Sequence, residues 1–231
     1  RQGIVHIVGP EQGFTLPGDD LIKPYLLSTT SYDSSMSRTW KFVAERAVCR
    51  NTVTIGLAEA GGVVKQRNTS IFDGQVIRDK LGMVDDLMAG FEEKAQRLAR
   101  SKASRSQVDK LLTDLFGKAD DLDKPMIRVG GGFENFTTQS RNVISEVESM
   151  IVSSPGSGMD SARGTAWGVL NGITRYVDFG ARARSADNRL DSALFGKGDA
   201  LKTQAMDWLP AECCNMTVSP TLDSVLAATV Q

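Results

Sequence analysis

The clearest periodic pattern near the start of the chain is an alternation of side chains over residues 38–48, which predicts a β-strand. The alternation is imperfect, because Arg46 falls on the apolar face and Val43 on the opposite one. After the strand, Asn51 and Thr52 precede apolar residues at spacings of three and four. This change of period predicts a short buried helix that ends at Gly61-Gly62. The apolar face of the strand carries Trp40, Phe42, Ala44, Arg46 and Val48.

Shorter runs of the same kind surround this strand. Residues 4–8 and 25–31 predict two further strands, and residues 32–35 supply the turn-forming side chains of a hairpin loop. Residues 63–67 are expected to add an edge strand. The first third of the chain therefore predicts a small, mostly antiparallel sheet.

A second pattern, with apolar residues at alternating spacings of four and three, predicts a long helix over residues 73–99. Such a stripe either packs on the sheet of the same chain or forms an interface between subunits, and the sequence leaves both interpretations open. The stripe consists of Ile77, Leu81, Val84, Met88, Phe91, Ala95 and Leu98.

Shorter helices are predicted beyond this point. Ser104 or Ser106 can cap a helix that ends at Gly117. Residues 143–151 carry apolar positions at helical spacing, and the Ser/Gly/Pro run over residues 153–158 is expected to form a mobile loop. The second half of the chain is thus expected to be largely helical.

Two more helices complete the prediction. Residues 164–178 place Trp167 on a buried face, and their glycines would let another backbone approach closely. The last helix is expected over residues 199–209 and should end at Pro210. The predicted fold class is therefore α+β, with a small antiparallel sheet followed by a long helix and a helical second half.

The division of the chain follows from this order of elements. Residues 1–72 form the sheet-rich part of one domain, which we expect to be truncated at its start. Residues 73–210 form a helical part packed on the sheet, and residues 211–231 form a tail. A length of 231 residues suits one such domain.

Composition narrows the classes of function. The net charge of −1 gives no general attraction to polyanions, so nucleic-acid binding would need a local basic patch. Three cysteines, two of them adjacent, argue for a reducing, cytoplasmic compartment rather than a disulfide framework. The sequence contains no apolar run of roughly 18 residues, so no membrane partner is expected.

Motifs for common cofactor chemistry are absent from the sequence. It contains no phosphate-binding loop of the G-x-x-x-x-G-K-[ST] type and one histidine, His6. The adjacent pair Cys213-Cys214 lacks the spacing of a zinc site. We therefore expect no cofactor, no bound metal and no enzymatic activity.

Two segments resemble a known family. Residues 46–53 read RAVCRNTV and resemble the R-V-V-C-Q-N-T-L signature of a phage/plasmid-like domain of unknown function. Residues 164–178 read GTAWGVLNGITRYVD and resemble that family's G-T-A-W-G-x-x-N-A-V-T-x-Y-x-D segment. The resemblance covers about residues 20–210, with small departures such as Arg50 in place of Gln. It implies a mobile-element context and assigns no activity.

Basic residues form two groups around these segments. If both groups line one groove, they neutralise several phosphates despite the near-zero net charge. The alternative is that the arginines pair with nearby aspartates and that Trp40 fills the core. The nucleic-acid-binding candidates are Arg38, Lys41, Arg46, Arg50, Arg175, Arg182, Arg184, Arg189 and Lys197, and the base-stacking candidates are Trp40, Phe42 and Tyr176.

The resemblance, the order of strands and helices and the lack of nucleotide-binding motifs together favour one function. We expect an ATP-independent protein that binds and anneals single-stranded DNA in phage or plasmid recombination. It would act as a homo-oligomeric ring or filament in a bacterial host cell, similar to phage single-strand annealing proteins. One alternative is a non-enzymatic assembly protein that oligomerises through the apolar stripe. The other is a metal-dependent nuclease that uses Asp85 and Asp86.

Overall fold

Six antiparallel strands form the main sheet of the structure, a computed structural model that describes residues 3–8, 13–31, 37–54, 63–67, 84–129 and 132–214. The two long strands β3 and β4 pair in the middle of the sheet. The short strands β1 and β2 both pair with the other side of β3, and β5 and β6 with the other side of β4. The predicted antiparallel sheet is confirmed. The strands are β1 (Gly3–Val8), β2 (Phe14–Leu16), β3 (Asp20–Ser31), β4 (Arg38–Arg46), β5 (Asn51–Thr54) and β6 (Val63–Gln66).

The segment after β4 is a strand, so the prediction of a short helix there is wrong. Residues 47–50 form a turn, and β5 returns along β4 with Val53 opposite Ala44. The side chains of β5 alternate between buried and partly exposed, and the Thr-Val-Thr sequence is β-branched, which favours a strand. Residues 55–62 lie outside the described residues.

Helices dominate the rest of the described chain, which confirms the α+β fold class. A small hairpin of β7 (Ile127–Val129) and β8 (Gly132–Glu134) interrupts them. None of the described helices is long and apolar enough to cross a membrane. The helices are α1 (Val84–Arg100), α2 (Arg105–Phe116), α3 (Thr138–Ser153), α4 (Ala166–Arg175), a π-helical turn (Tyr176–Gly180), α5 (Ala186–Phe195) and α6 (Lys197–Cys213).

Local sequence signals predicted some helix ends correctly and others incorrectly. Ser104 caps α2 through a complete capping box, and Gly117 ends that helix as predicted. Helix α5 was not predicted, although Ser185 caps its first turn. Pro210 does not end α6, because the helix continues to Cys213 with Pro210 buried inside it. Tertiary packing around Pro210 therefore outweighs the tendency of proline to end a helix.

The apolar stripe of α1 packs inside the chain. Phe91, Ala95 and Leu98 are buried, and the Phe91 ring meets the Phe14 ring edge to face at 5.8 Å between centroids. The described part of the predicted long helix therefore packs on its own chain. Residues 73–83 of that prediction lie outside the described part.

Helix α4 lies at the centre of the core. Trp167, Leu170 and Ile173 are buried in one hydrophobic cluster, which draws on the sheet as well as on α1, α2, α3 and α6. A Cβ atom added to Gly168 would lie 1.9 Å from the carbonyl oxygen of Ala162. The close backbone approach predicted for the glycines of this segment is therefore present.

The close contact between Gly168 and Ala162 allows a direct test of packing. We expect Gly168→Ala to lower the free energy of unfolding by at least about 2–3 kcal/mol, because backbone atoms must move apart to admit the methyl group. The matched control is Gly90→Ala in α1, where a Cβ meets nothing within 4 Å. This change should stabilise the protein by up to about 1 kcal/mol through helix propensity. Urea denaturation of both variants measures the difference, and equal effects would contradict the packing argument.

Candidate functional site

Arg46 of β4 is a buried ion-pair residue. Its side chain is 3% exposed, and Nε donates to the two carboxylate oxygens of Asp20 at 2.7 and 2.8 Å. Nη2 donates to the carbonyl oxygen of Gly156 at 2.9 Å, so the turn segment over residues 154–158 packs against the sheet. Because the guanidinium is enclosed and neutralised, it offers no surface to a phosphate. The prediction that Arg46 binds nucleic acid does not fit this burial.

The partner carboxylate joins the two motif segments. Asp20 is fully buried, and its Oδ2 atom accepts hydrogen bonds from Ser161 Oγ at 2.6 Å and from Trp167 Nε1 at 3.1 Å. The same carboxylate also holds Arg46. Arg46 belongs to the first motif segment (residues 46–53) and Trp167 to the second (residues 164–178). One buried aspartate of the sheet therefore binds a side chain from each segment.

Further hydrogen bonds connect the same two segments. Asn51 Nδ2 donates to the carbonyl oxygen of Asn171 at 2.9 Å, and Arg175 Nη1 donates to that of Cys49 at 3.1 Å. Cys49 is buried, and this burial raises the pKa of its thiol. The motif residues therefore contact one another, and their main role visible in the structure is to hold β4, β5 and α4 together.

Lys41 is the second buried cation of β4. Its Nζ lies 2.6 Å from Asp199 Oδ2 and donates to the carbonyl oxygen of Leu194 at 2.6 Å. Burial lowers the pKa of the Lys41 amine, and the bond to Asp199 opposes that shift. Lys41 is 1% exposed, so its predicted contact with nucleic acid does not fit its position either.

A similar arrangement surrounds Lys202. Its Nζ lies 2.8 Å from Asp178 Oδ1 and 3.0 Å from Thr52 Oγ1. The other oxygen of Asp178 accepts hydrogen bonds from the backbone nitrogen of Thr52 at 2.7 Å and from its hydroxyl at 3.0 Å. This network fixes β5 to α6 and to the π-helical turn.

A basic groove of about 690 Å³ opens between the end of α2, the start of α3 and the junction of α5 with α6. Lys118, Arg182, Arg189 and Lys197 line it, against one lining carboxylate, Glu146. Lys118, Arg182 and Lys197 are exposed and make no ion pair with any carboxylate in the described ranges. The groove therefore carries an excess of positive charge that faces solvent.

Aromatic rings contribute to one wall of the groove. Tyr176 is half-buried and meets the ring of Phe116 edge to face at 5.7 Å, and both residues line the groove. Burial raises the pKa of the Tyr176 phenol, as does Glu146, so the ring stays neutral at physiological pH. Trp40 and Phe42 are 9% and 8% exposed, so neither of these predicted stacking residues is accessible to a base.

The other predicted cations lie apart from the groove lining. Arg38 is partly buried at the start of β4, and Arg184 is exposed shortly after the π-helical turn. Arg50 is exposed in the β4–β5 turn with a φ of +56°, a left-handed conformation that is uncommon for arginine. Arg175 stacks over the Phe179 ring at 4.1 Å. The structure thus brings together three of the nine predicted cations, Arg182, Arg189 and Lys197.

Lys118 completes the groove and was not among the predicted site residues. It follows the last turn of α2, at the point where α2, α3 and the α5–α6 junction border the groove. No local motif marks it, so the sequence carried no signal beyond its charge.

A separate cleft of about 410 Å³ lies between the sheet and α5. Its walls are mostly apolar and include Leu27 and Val43 from the sheet and Leu194 from α5. Arg189 lines both this cleft and the basic groove, so the two cavities meet at this side chain.

In the described part of the chain, no group of three or more His, Cys, Asp or Glu side chains could hold a metal ion. The side chains of Asp85 and Asp86, on which the nuclease alternative depends, lie outside the described residues.

A family model described as a domain of unknown function, DUF932, matches residues 6–194. No solved structure matches the chain.

Proposed function

The chain belongs to the DUF932 family, a domain family of unknown function, and from the basic groove we propose that it binds single-stranded DNA. Strand annealing by a homo-oligomer in phage or plasmid recombination, without ATP, is part of the same proposal. This wider role is supported by the resemblance of the two motif segments and by the α+β architecture. The basic groove is the feature that supports the proposed DNA binding.

The supporting observation is the charge of the groove. Four cations against one carboxylate give a local excess of three positive charges in a protein of net charge −1. Because Lys118, Arg182 and Lys197 are exposed, they can replace the counterions of successive phosphates. Binding is then local and independent of the overall charge.

The aromatic wall favours a single strand over a duplex. Tyr176 and Phe116 present ring surface beside the cations, and an unpaired base can stack on such a ring whatever its identity. Bases in a duplex are already stacked on one another and cannot reach the wall. The combination of cations and rings therefore suits a flexible polyanion with exposed bases.

The binding surface differs from the one expected from the sequence. The proposed site excludes four residues that the sequence predicted, because they are buried: Lys41, Arg46, Trp40 and Phe42. It includes Lys118, which the sequence did not predict. The proposal therefore needs one groove in the helical half, and no longer requires the two basic groups to meet.

We expect the double variant Arg182→Glu and Lys197→Glu to lose at least about tenfold in affinity for a labelled oligonucleotide at about 50 mM salt. Removing two phosphate contacts should also make the slope of log affinity against log salt less negative by about 1.4. Fluorescence anisotropy measures both quantities.

The matched control is Lys102→Glu with Arg163→Glu, which makes the same change in net charge at exposed positions outside the groove. It should change affinity less than threefold. Absence of binding by the unmodified protein at about 50 mM salt would refute the proposal, as would equal losses in both double variants. Mass photometry with and without the oligonucleotide tests whether the protein forms the proposed homo-oligomer.

A further inference from the structure

The cleft between the sheet and α5 differs in character from the groove. Tyr25, Leu27 and Val43 line it from the sheet, and Leu190 and Leu194 line it from α5. Its volume of about 410 Å³ lies within the range of pockets that enclose small ligands. An apolar cavity of this size beside an exposed polar rim is suited to a flat, largely uncharged group.

The charges around the cleft are balanced. Arg50 and Arg189 face Glu45, Asp178 and Asp187, and Asp178 is already neutralised by Lys202. If Arg189, which lines both cavities, is assigned to the cleft, two cations stand against two remaining carboxylates there, and the groove still has an excess of two positive charges. This balance favours an uncharged occupant in the cleft and leaves the phosphates to the groove.

Large apolar side chains are exposed at the cleft. Phe179 is 43% exposed and Leu190 is 50% exposed, and both line it. Phe179 lies in the π-helical turn, which separates the cleft from the groove, and the two cavities share Arg189. A strand held by its phosphates in the groove would pass close to this opening.

We propose that the cleft receives one nucleobase of a single strand whose backbone lies in the groove. This inference rests on the proposed function and adds to it the place of a base. Phe179 and Leu190 would contact the base faces, while the Glu45 carboxylate, which also lines the cleft, is a polar group available to its edge. The left-handed backbone at Arg50 fits the tendency of strained residues to lie at ligand sites.

The test separates backbone binding from base uptake. An oligonucleotide carrying the fluorescent analogue pyrrolo-cytosine reports on the environment of a base, and anisotropy of an end label reports on total binding. Two variants close the cleft: Ala193→Phe fills it from α5, and Leu190→Glu places a charge at an exposed wall position. The second variant keeps the test valid if the first fails to fold, as judged by circular dichroism.

We expect the unmodified protein to change the pyrrolo-cytosine emission on binding. Either cleft variant should lose at least half of that change while total affinity falls less than threefold. The control Val152→Glu alters an apolar residue that is 75% exposed and lies outside both cavities, and it should keep the full signal. Normal binding with an unchanged signal in both cleft variants would overturn the inference and leave the groove intact. Absence of any binding would overturn the proposed function and the inference together.

Discussion

Asp20→Ala is expected to lower the free energy of unfolding by about 3–5 kcal/mol, the usual cost of leaving a buried charge without its partner. Arg46 would stay enclosed without a carboxylate, and Ser161 and Trp167 would lose their shared acceptor. Because domains of this kind are stable by about 5–15 kcal/mol, such a loss leaves the fold marginal. Urea denaturation followed by circular dichroism measures the change.

The control for Asp20 is an ion pair on the surface. Glu93 and Arg97 form a pair in α1 whose side chains are 64% and 51% exposed. Glu93→Ala should change the free energy of unfolding by less than about 0.5 kcal/mol, because water screens the pair. If Asp20→Ala cost no more than this, the buried cluster would not be what holds the motif segments together.

Asp178→Ala is expected to cost a similar amount, about 3–5 kcal/mol, for a related reason. The change leaves Lys202, which is 1% exposed, without its carboxylate, and it removes the acceptor of the Thr52 backbone nitrogen. The double variant Asp178→Ala with Lys202→Met should recover part of the loss, because no unpaired charge then remains buried. Chemical denaturation of the single and double variants forms the test, and a double variant less stable than Asp178→Ala would contradict it.

The two motif segments make contacts that hold the fold together. Arg46 and Trp167 share Asp20, Asn51 binds the backbone of α4, and Arg175 binds the backbone at Cys49. Each contact joins the sheet to α4 or to the segment next to it. We therefore infer that the motifs mainly maintain the fold, while Tyr176 of the second motif also lines the proposed groove.

Local patterns in the sequence were sufficient for most of the secondary structure. The alternation in β4, the capping box at Ser104 and the apolar spacing in α1 each report interactions within a few residues, and the structure contains all three elements. Such patterns were sufficient because strand pleat and helix pitch fix which neighbouring side chains share a face. The same local logic failed at β5 and at Pro210, where packing with distant segments determines the backbone.

The sequence by itself determined that this is an α+β protein with cations beside two recognisable motifs and no overall positive charge. Only the tertiary structure decided which cations are free. The sequence makes Lys41 and Arg46 candidates for a nucleic-acid-binding surface, but Asp199 and Asp20 reach them from other elements and allow their burial. Lys118 and Lys197 meet in one groove because separate helices end there. Charge is a property of the residue, whereas burial and pairing depend on contacts between distant residues.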